Sequence, residues 1–281
     1  MAAFEGFETT LEDPGILVVR FDRPETMNAS TIGMKRDLVE LLTQAQLDDA
    51  VRVLVFTGTG RGFWAGDDMK HYESTAGAVM PPIGAGHRTP IGTYDALRAI
   101  SQAVNVAVRN LDKLSIAAVN GFAIQTGLSF ALACDFRIAA RSARLGSATL
   151  RFGLLPDEGG HWLLVQHLGV AGAMDFLMRK RIVSADEALA LGLVHEVVDD
   201  DDLDGAALAL ATELADGPQV AMRLLKRSIY AAAELDFGHA LDDIATKTAI
   251  SDHHADARAG GQSFRDKTTP EFNDWLRRSP G

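Results

Sequence analysis

Three short segments carry glycines and other small residues directly after runs that read as β-strands. They are residues 21–29 (FDRPETMNA), 57–69 (TGTGRGFWAGDDM) and 118–127 (AVNGFAIQTG). Small residues past a strand end let a ligand approach the backbone, and a helix that follows offers N–H groups with no partner of their own. Two such turns meeting at one point would hold a carbonyl oxygen as negative charge develops on it. Each glycine cluster taken singly is a turn; the chemistry lies in the combination.

The elements that would position these turns can be read from periodicity. Residues 16–21 (ILVVRF), 51–57 (VRVLVFT), 115–119 (SIAAV) and 135–139 (DFRIA) read as strands, three of them almost continuously apolar. Strands buried on both faces look like that, so a mainly parallel sheet covered by helices is expected. Residues 31–49 carry Leu38, Leu41, Leu42 and Ala45 at helical spacing, and 94–111 carry Leu97, Ile100, Val104 and Val108 on one stripe. Ser184 to Glu187 forms a capping box for a short helix that Gly192 stops. After about residue 200 the strands cease and consecutive helices follow, so a boundary is placed between 1–199 and 200–281. The acidic run 199–202 reads as a solvated helix start, since four adjacent carboxylates cannot converge on one ion. Residues 72–93, rich in Gly and Pro, read as a long loop of the kind that serves as a lid or insertion.

Composition narrows the class of partner. The chain has 281 residues with 27 Lys+Arg against 38 Asp+Glu, and a net charge of −11 argues against nucleic-acid binding, which needs a basic face. The single cysteine, Cys134, excludes an intrachain disulfide and, flanked by apolar residues, reads as a buried inert thiol. The most apolar stretch, 116–136, contains Asn120, Gln125, Thr126 and Ser129, which a bilayer would leave unsatisfied, so no membrane span is expected. No basic, apolar leader opens the chain, and a cytoplasmic location is expected. No Cys/His spacing suggests a metal; His87, His253 and His254 read as surface residues.

With RPETMNA, FWAGDDM and AVNGFA in that order, the sequence resembles the enoyl-CoA hydratase/isomerase family, also called the crotonase family, over essentially its whole length. The resemblance implies an α/β fold, a spiral of ββα units with a C-terminal helical trimerisation region, assembling as a homotrimer or dimer of trimers. It implies an acyl-CoA thioester substrate, with coenzyme A as part of the substrate and no tightly bound cofactor. The two backbone N–H donors of an oxyanion hole map to Asp67 and to Thr126, where the family usually has Gly. The CoA-binding positions map to Arg23, Thr26, Met27, Asn28, Ala65 and Asp68. Phe264 and Lys267 match the aromatic and lysine that reach a neighbouring subunit's CoA, and Lys267 is a cation suited to a CoA phosphate.

The chain departs from the family at the acid–base positions. A typical hydratase holds its water between two glutamates; those positions are Ser129 and Thr149 here. Hydroxyls do not take up protons near neutral pH, so acid–base work falls to Asp157, Glu158 and His161 in GLLPDEGGH. In a helix, Asp157 and His161 would be four apart and Glu158 and His161 three apart, so either carboxylate could orient the imidazole. Isomerising branches of the family place an aspartate at Asp157, which is therefore the expected pocket-facing acid, with Glu158 as solvated cap. Capping of the helix by Asp157 is the structural alternative. The favoured function is isomerisation through a thioester enolate; a diketone C–C hydrolase and a catalytically silent CoA-binding or scaffold protein are the alternatives.

Overall fold

The computed structural model describes residues 4–68 and 89–277. In chain order it has β1 (Phe7–Glu12), β2 (Ile16–Phe21), α1 (Ile32–Leu47), β3 (Val53–Gly58), β4 (Gly62–Trp64) and α2 (Pro90–Ala96). A π-turn over Leu97–Ser101 joins α2 to α3 (Gln102–Asn110), and β5 (Leu114–Val119), β6 (Phe122–Ile124) and α4 (Thr126–Ala133) follow. Next come β7 (Phe136–Ala140), β8 (Arg144–Gly146), α5 (Gly160–Met178), β9 (Ile182–Ser184), α6 (Ala185–Ala190) and β10 (Glu196–Val198). The chain ends in α7 (Leu203–Asp216), α8 (Gln219–Ala232), α9 (Phe237–Asp252), α10 (Ala255–Asp266) and α11 (Asp274–Arg277).

The large sheet has the order β1-β2-β3-β5-β7-β10, parallel from β2 onward, with β1 antiparallel at its edge. Every residue of β3 is buried, as a strand covered on both faces requires. The smaller sheet runs β4-β6-β8-β9. Each turn of the spiral is a long strand, a short strand in the second sheet and a helix, which is the ββα repeat. The short strands are three residues each, below the length at which alternation can be read from sequence.

Local chemistry explains the helix boundaries. The Thr31 hydroxyl accepts from Met34 N and starts α1. The helix expected over 94–111 begins earlier, at Pro90, because Thr89 caps it and proline suits the first turn. The remainder of the expected loop, 72–88, with His87, lies outside the described residues. Ser184 accepts from Glu187 N as the capping box requires, and Gly192 follows α6 with φ 75°. His254 is more than a surface residue: it is half-buried, accepts from Asp256 N to cap α10, and meets Trp275 edge-on. Cys134 is buried, and burial pushes its thiol up to about 12, as expected of an inert thiol.

The main core lies between the two sheets and their helices, with Phe21, Phe56, Phe63, Trp64 and Phe130 in mutual ring contact. A second core forms where α7 lays Leu203, Ala207, Ala211 and Leu214 against Ile16, Val53, Ile116 and Ile138. The helix just past residue 200 is thus packed on the sheet, and the composition change there marks no gap in packing. Among the described residues no helix is long and apolar enough to cross a membrane.

Candidate active site

The turn that carries Asp67 and the start of α4 that carries Thr126 touch each other. The turn after β4 is pinned by Trp64 Nε1 donating to Gly66 O at 3.1 Å and by a parallel bridge between Ser30 and Asp67. The first turn of α4 lies directly against it. A Cβ on Gly127 would sit 1.8 Å from Trp64 O, so only glycine permits this approach. Thr126 is the first residue of α4, and its N–H, like that of Asp67, donates to no other group among the described residues. Their side chains meet as well, with Thr126 Oγ1 3.2 Å from Asp67 Oδ1. The two positions inferred from resemblance therefore lie side by side, neither N–H donating to another group among the described residues. Gln125, just before α4, holds φ 52° and ψ −103°, a conformation that costs a side-chain-bearing residue roughly 1–3 kcal/mol.

The carboxylates are arranged differently from expectation. Glu158, expected to be a solvated cap, is 4% exposed. Its Oε1 accepts from Thr126 Oγ1 at 2.6 Å and its Oε2 from Gln125 Nε2 at 3.1 Å. Burial and then the neighbouring Asp157 charge raise its pKa, against the Thr126 hydrogen bond. Asp157 is half-buried; burial and then the Asp67 charge raise its pKa, while Lys35 opposes them. Neither residue caps α5, whose N-cap is Gly159 at φ 96°. Their main chain is held by α3, where Gln102 Nε2 donates to Asp157 O and Asn105 Nδ2 to Glu158 O. The expected carboxylate–imidazole pair does not form. His161 is exposed and its Nδ1 lies 3.0 Å from Pro156 O, because the chain turns at Gly159 before the helix begins.

The two replaced glutamate positions have other duties. Ser129 is buried against the start of α5, where a Cβ on Gly160 would lie 2.4 Å from its Oγ. The Thr149 hydroxyl donates to Gln125 Oε1 at 3.2 Å. Neither position offers a carboxylate to hold a water.

Sequence reasoning missed Lys35. It is fully buried, pairs with Asp67 at 2.8 Å and donates to Ser101 at the π-turn. Its signal was a lysine beside Met34 inside the apolar stripe of α1, where a charge needs a buried partner. The pair matters electrically: an unpaired carboxylate at Asp67 would repel an enolate formed at the adjacent N–H.

The CoA positions divide. Arg23 pairs with Asp68 at 2.9 Å and also donates to Ala29 O. Asn28 is buried, its amide donating to Thr59 O and Gly62 O and its Oδ1 accepting from Arg23 N, so its side chain clamps the loop. Thr26 donates to Arg23 O, Met27 is 39% exposed, and Ala65 N donates to Met27 O. Phe264 is 87% exposed and Lys267 ends α10 with φ 56°. A separate cleft of about 600 Å³ lies elsewhere, between Arg20, Arg61, Asn120 and the carboxylates of Asp200, Asp201 and Asp204. Its acidic wall does not suit CoA phosphates, and Arg20 is paired with Asp204.

Comparison with known proteins assigns the family. Residues 12–275 match the enoyl-CoA hydratase/isomerase family model. The 1,2-epoxyphenylacetyl-CoA isomerase of Escherichia coli is 34% identical over 92% of this chain and 95% of its own. The human mitochondrial enoyl-CoA hydratase domain-containing protein 2 is 35% identical over 92% of this chain and 86% of its own. The crystal structure of an enoyl-CoA hydratase from Bacillus anthracis superposes with a TM-score of 0.86 at 29% identity, covering 95% of this chain and 99% of that one. A spiral fold shared with these proteins defines an enzyme of the class that works on CoA thioesters. The chain belongs to the enoyl-CoA hydratase/isomerase family.

Proposed function

We propose that this enzyme isomerises an unsaturated or strained acyl-CoA in preference to adding water to it. The thioester oxygen would lie between the Asp67 and Thr126 N–H groups, which take up the charge of the enolate. Glu158 would accept the α-proton on one carboxylate oxygen and return it at another carbon, so the proton is conserved and no water is consumed. Its raised pKa suits a group that must act as base and then as acid. The carrying observation is the placement of Glu158, a buried carboxylate hydrogen-bonded to Thr126, whose N–H is one of the two donors. Asp157 would supply the charge that raises Glu158, a reversal of the roles expected from the sequence. The diketone-hydrolase alternative comes from a family branch with an acid at the Glu158 position and a histidine three residues on; here His161 Nδ1 lies instead 3.0 Å from Pro156 O.

The assay pairs vinylacetyl-CoA, which needs only a proton shift, with crotonyl-CoA, which must be hydrated. Isomerisation should exceed hydration, and Glu158→Gln should lower it on the order of a hundredfold or more with KM little changed. Asp157→Asn should cost less. Hydration of crotonyl-CoA at about hundreds of turnovers per second, the upper range of ordinary enzymes, would overturn the preference. CoA affinity without any turnover would instead favour a silent binding protein. We further propose a trimer-based assembly through the C-terminal helices, with Phe264 and Lys267 facing a neighbouring subunit's CoA.

A further inference from the structure

We propose that Gln125 is the positioning residue of Glu158, its side-chain amide fixing the carboxylate beside Thr126 while its strained backbone aims the Thr126 N–H. This rests on the reading of Glu158 as acid and base.

The observation is a conflict between residue and conformation. With φ 52° and ψ −103°, position 125 favours glycine, yet it carries a large polar side chain that is 8% exposed. A residue persists in such a conformation only where its surroundings over-determine it. They do so here. The Gln125 N–H donates to Gly146 O at 2.9 Å, which ties the backbone to the end of β8. The residue after β8, Ser147, donates its hydroxyl to Gln125 Oε1 at 2.6 Å, and Thr149 donates to the same oxygen. With Oε1 taking two donors, the amide is oriented so that Nε2 donates to Glu158 Oε2. Among the described residues no cation pairs with the Glu158 carboxylate. The groups around it are Asp157 on its own segment, Asp67 after β4 with Lys35 behind it on α1, and Gln125 and Thr126 at the start of α4. Gln102 and Asn105 on α3 bind main-chain carbonyls and leave the carboxylate alone. Two neutral donors are thus what orients the carboxylate, and Gln125 supplies one of them.

Because glycine suits this conformation, Gln125→Gly removes the amide while relieving backbone strain, and a fold intact by circular dichroism and thermal melting is expected. Activity is read as exchange of the α-protons of butyryl-CoA in deuterium oxide and as isomerisation of vinylacetyl-CoA. Gln125→Gly should lower both rates by roughly tenfold, the size of one hydrogen bond to a charged group. KM should change little. The acidic limb of the pH–rate profile should move up by about one unit, because the ionised base loses a donor. Gln125→Glu keeps the shape and replaces a donor with a charge, so it should move that limb further in the same direction. Glu158→Gln, run in parallel, separates the two ideas. If it keeps exchanging protons, Glu158 is not the base and the functional reading fails. If it is inactive while both Gln125 variants keep the rate and pH limb of the parent, the functional reading stands and the positioning role is overturned.

Discussion

Glu158 sits where burial and the Asp157 charge favour its neutral form, with the Thr126 hydroxyl opposing them. A carboxyl whose folded pKa is raised binds its proton more tightly in the native state than in the unfolded chain. Its contribution to stability is therefore full below the ordinary value of 4.5 and is lost as pH rises through the raised folded value. Asp157 has the same sign, from its own burial and from Asp67. Glu158→Gln cannot ionise, so it should melt at a higher temperature than the parent protein at neutral pH, and the difference should vanish near pH 4. Thermal melts of both proteins across that range check this. A variant less stable at neutral pH would mean that the ionised form is the better satisfied one. The expected outcome joins loss of turnover to gain of stability, as is common where a buried charge is kept for chemistry.

At the scale of elements, the site depends on how closely strands and helices approach. Thr126 reaches Asp67 because α4 abuts the end of β4 at Gly127, and the Glu158 segment reaches Thr126 because α5 abuts α4 at Gly160. Trp64 O belongs to backbone that the aromatic core holds in place, so it cannot yield to a methyl group. Gly127→Ala should cost about 3 kcal/mol of stability and separate the two N–H donors. Denaturant melts and turnover on vinylacetyl-CoA should fall together. Unchanged values for both would show that the approach of α4 to β4 does not set the geometry. The π-turn before α3 has a similar role, since it places Ser101 against Lys35 immediately before Gln102 and one turn ahead of Asn105.

Among the described residues, α9 has no core of its own. No residue of α9 is buried, and Phe237, Leu241, Ile244 and Ile250 on it are 45–78% exposed. Leu225 and Ile229 on α8, each 59% exposed, extend the apolar surface. A patch of that kind is covered in a stable soluble protein. A trimer or dimer of trimers is expected by light scattering at micromolar concentration, and a monomer would overturn the proposed assembly. Leu241→Lys together with Ile244→Lys should shift the mass downward while leaving the spiral core folded by circular dichroism.

The large parallel sheet could be read from the chain because most of β2, β3, β5 and β7 is almost continuously apolar, and that pattern needs no tertiary information. The glycine-rich turns and the Ser184 cap were legible for the same reason, each being a local property, while the replaced glutamates at Ser129 and Thr149 were read through the family resemblance. The second sheet was not, since strands of three residues gain their identity from their neighbours. Nor was the choice between Asp157 and Glu158. Helical spacing suggested a partnership with His161, but Gly159 at φ 96° breaks the helix between them and turns Glu158 inward. Lys35, Gln125 and Ser147 lie far apart in sequence, and only folding brings them around Asp67 and Glu158. Burial patterns and caps are encoded within a few residues, whereas a carboxylate's role is fixed by charges and donors that arrive from distant segments.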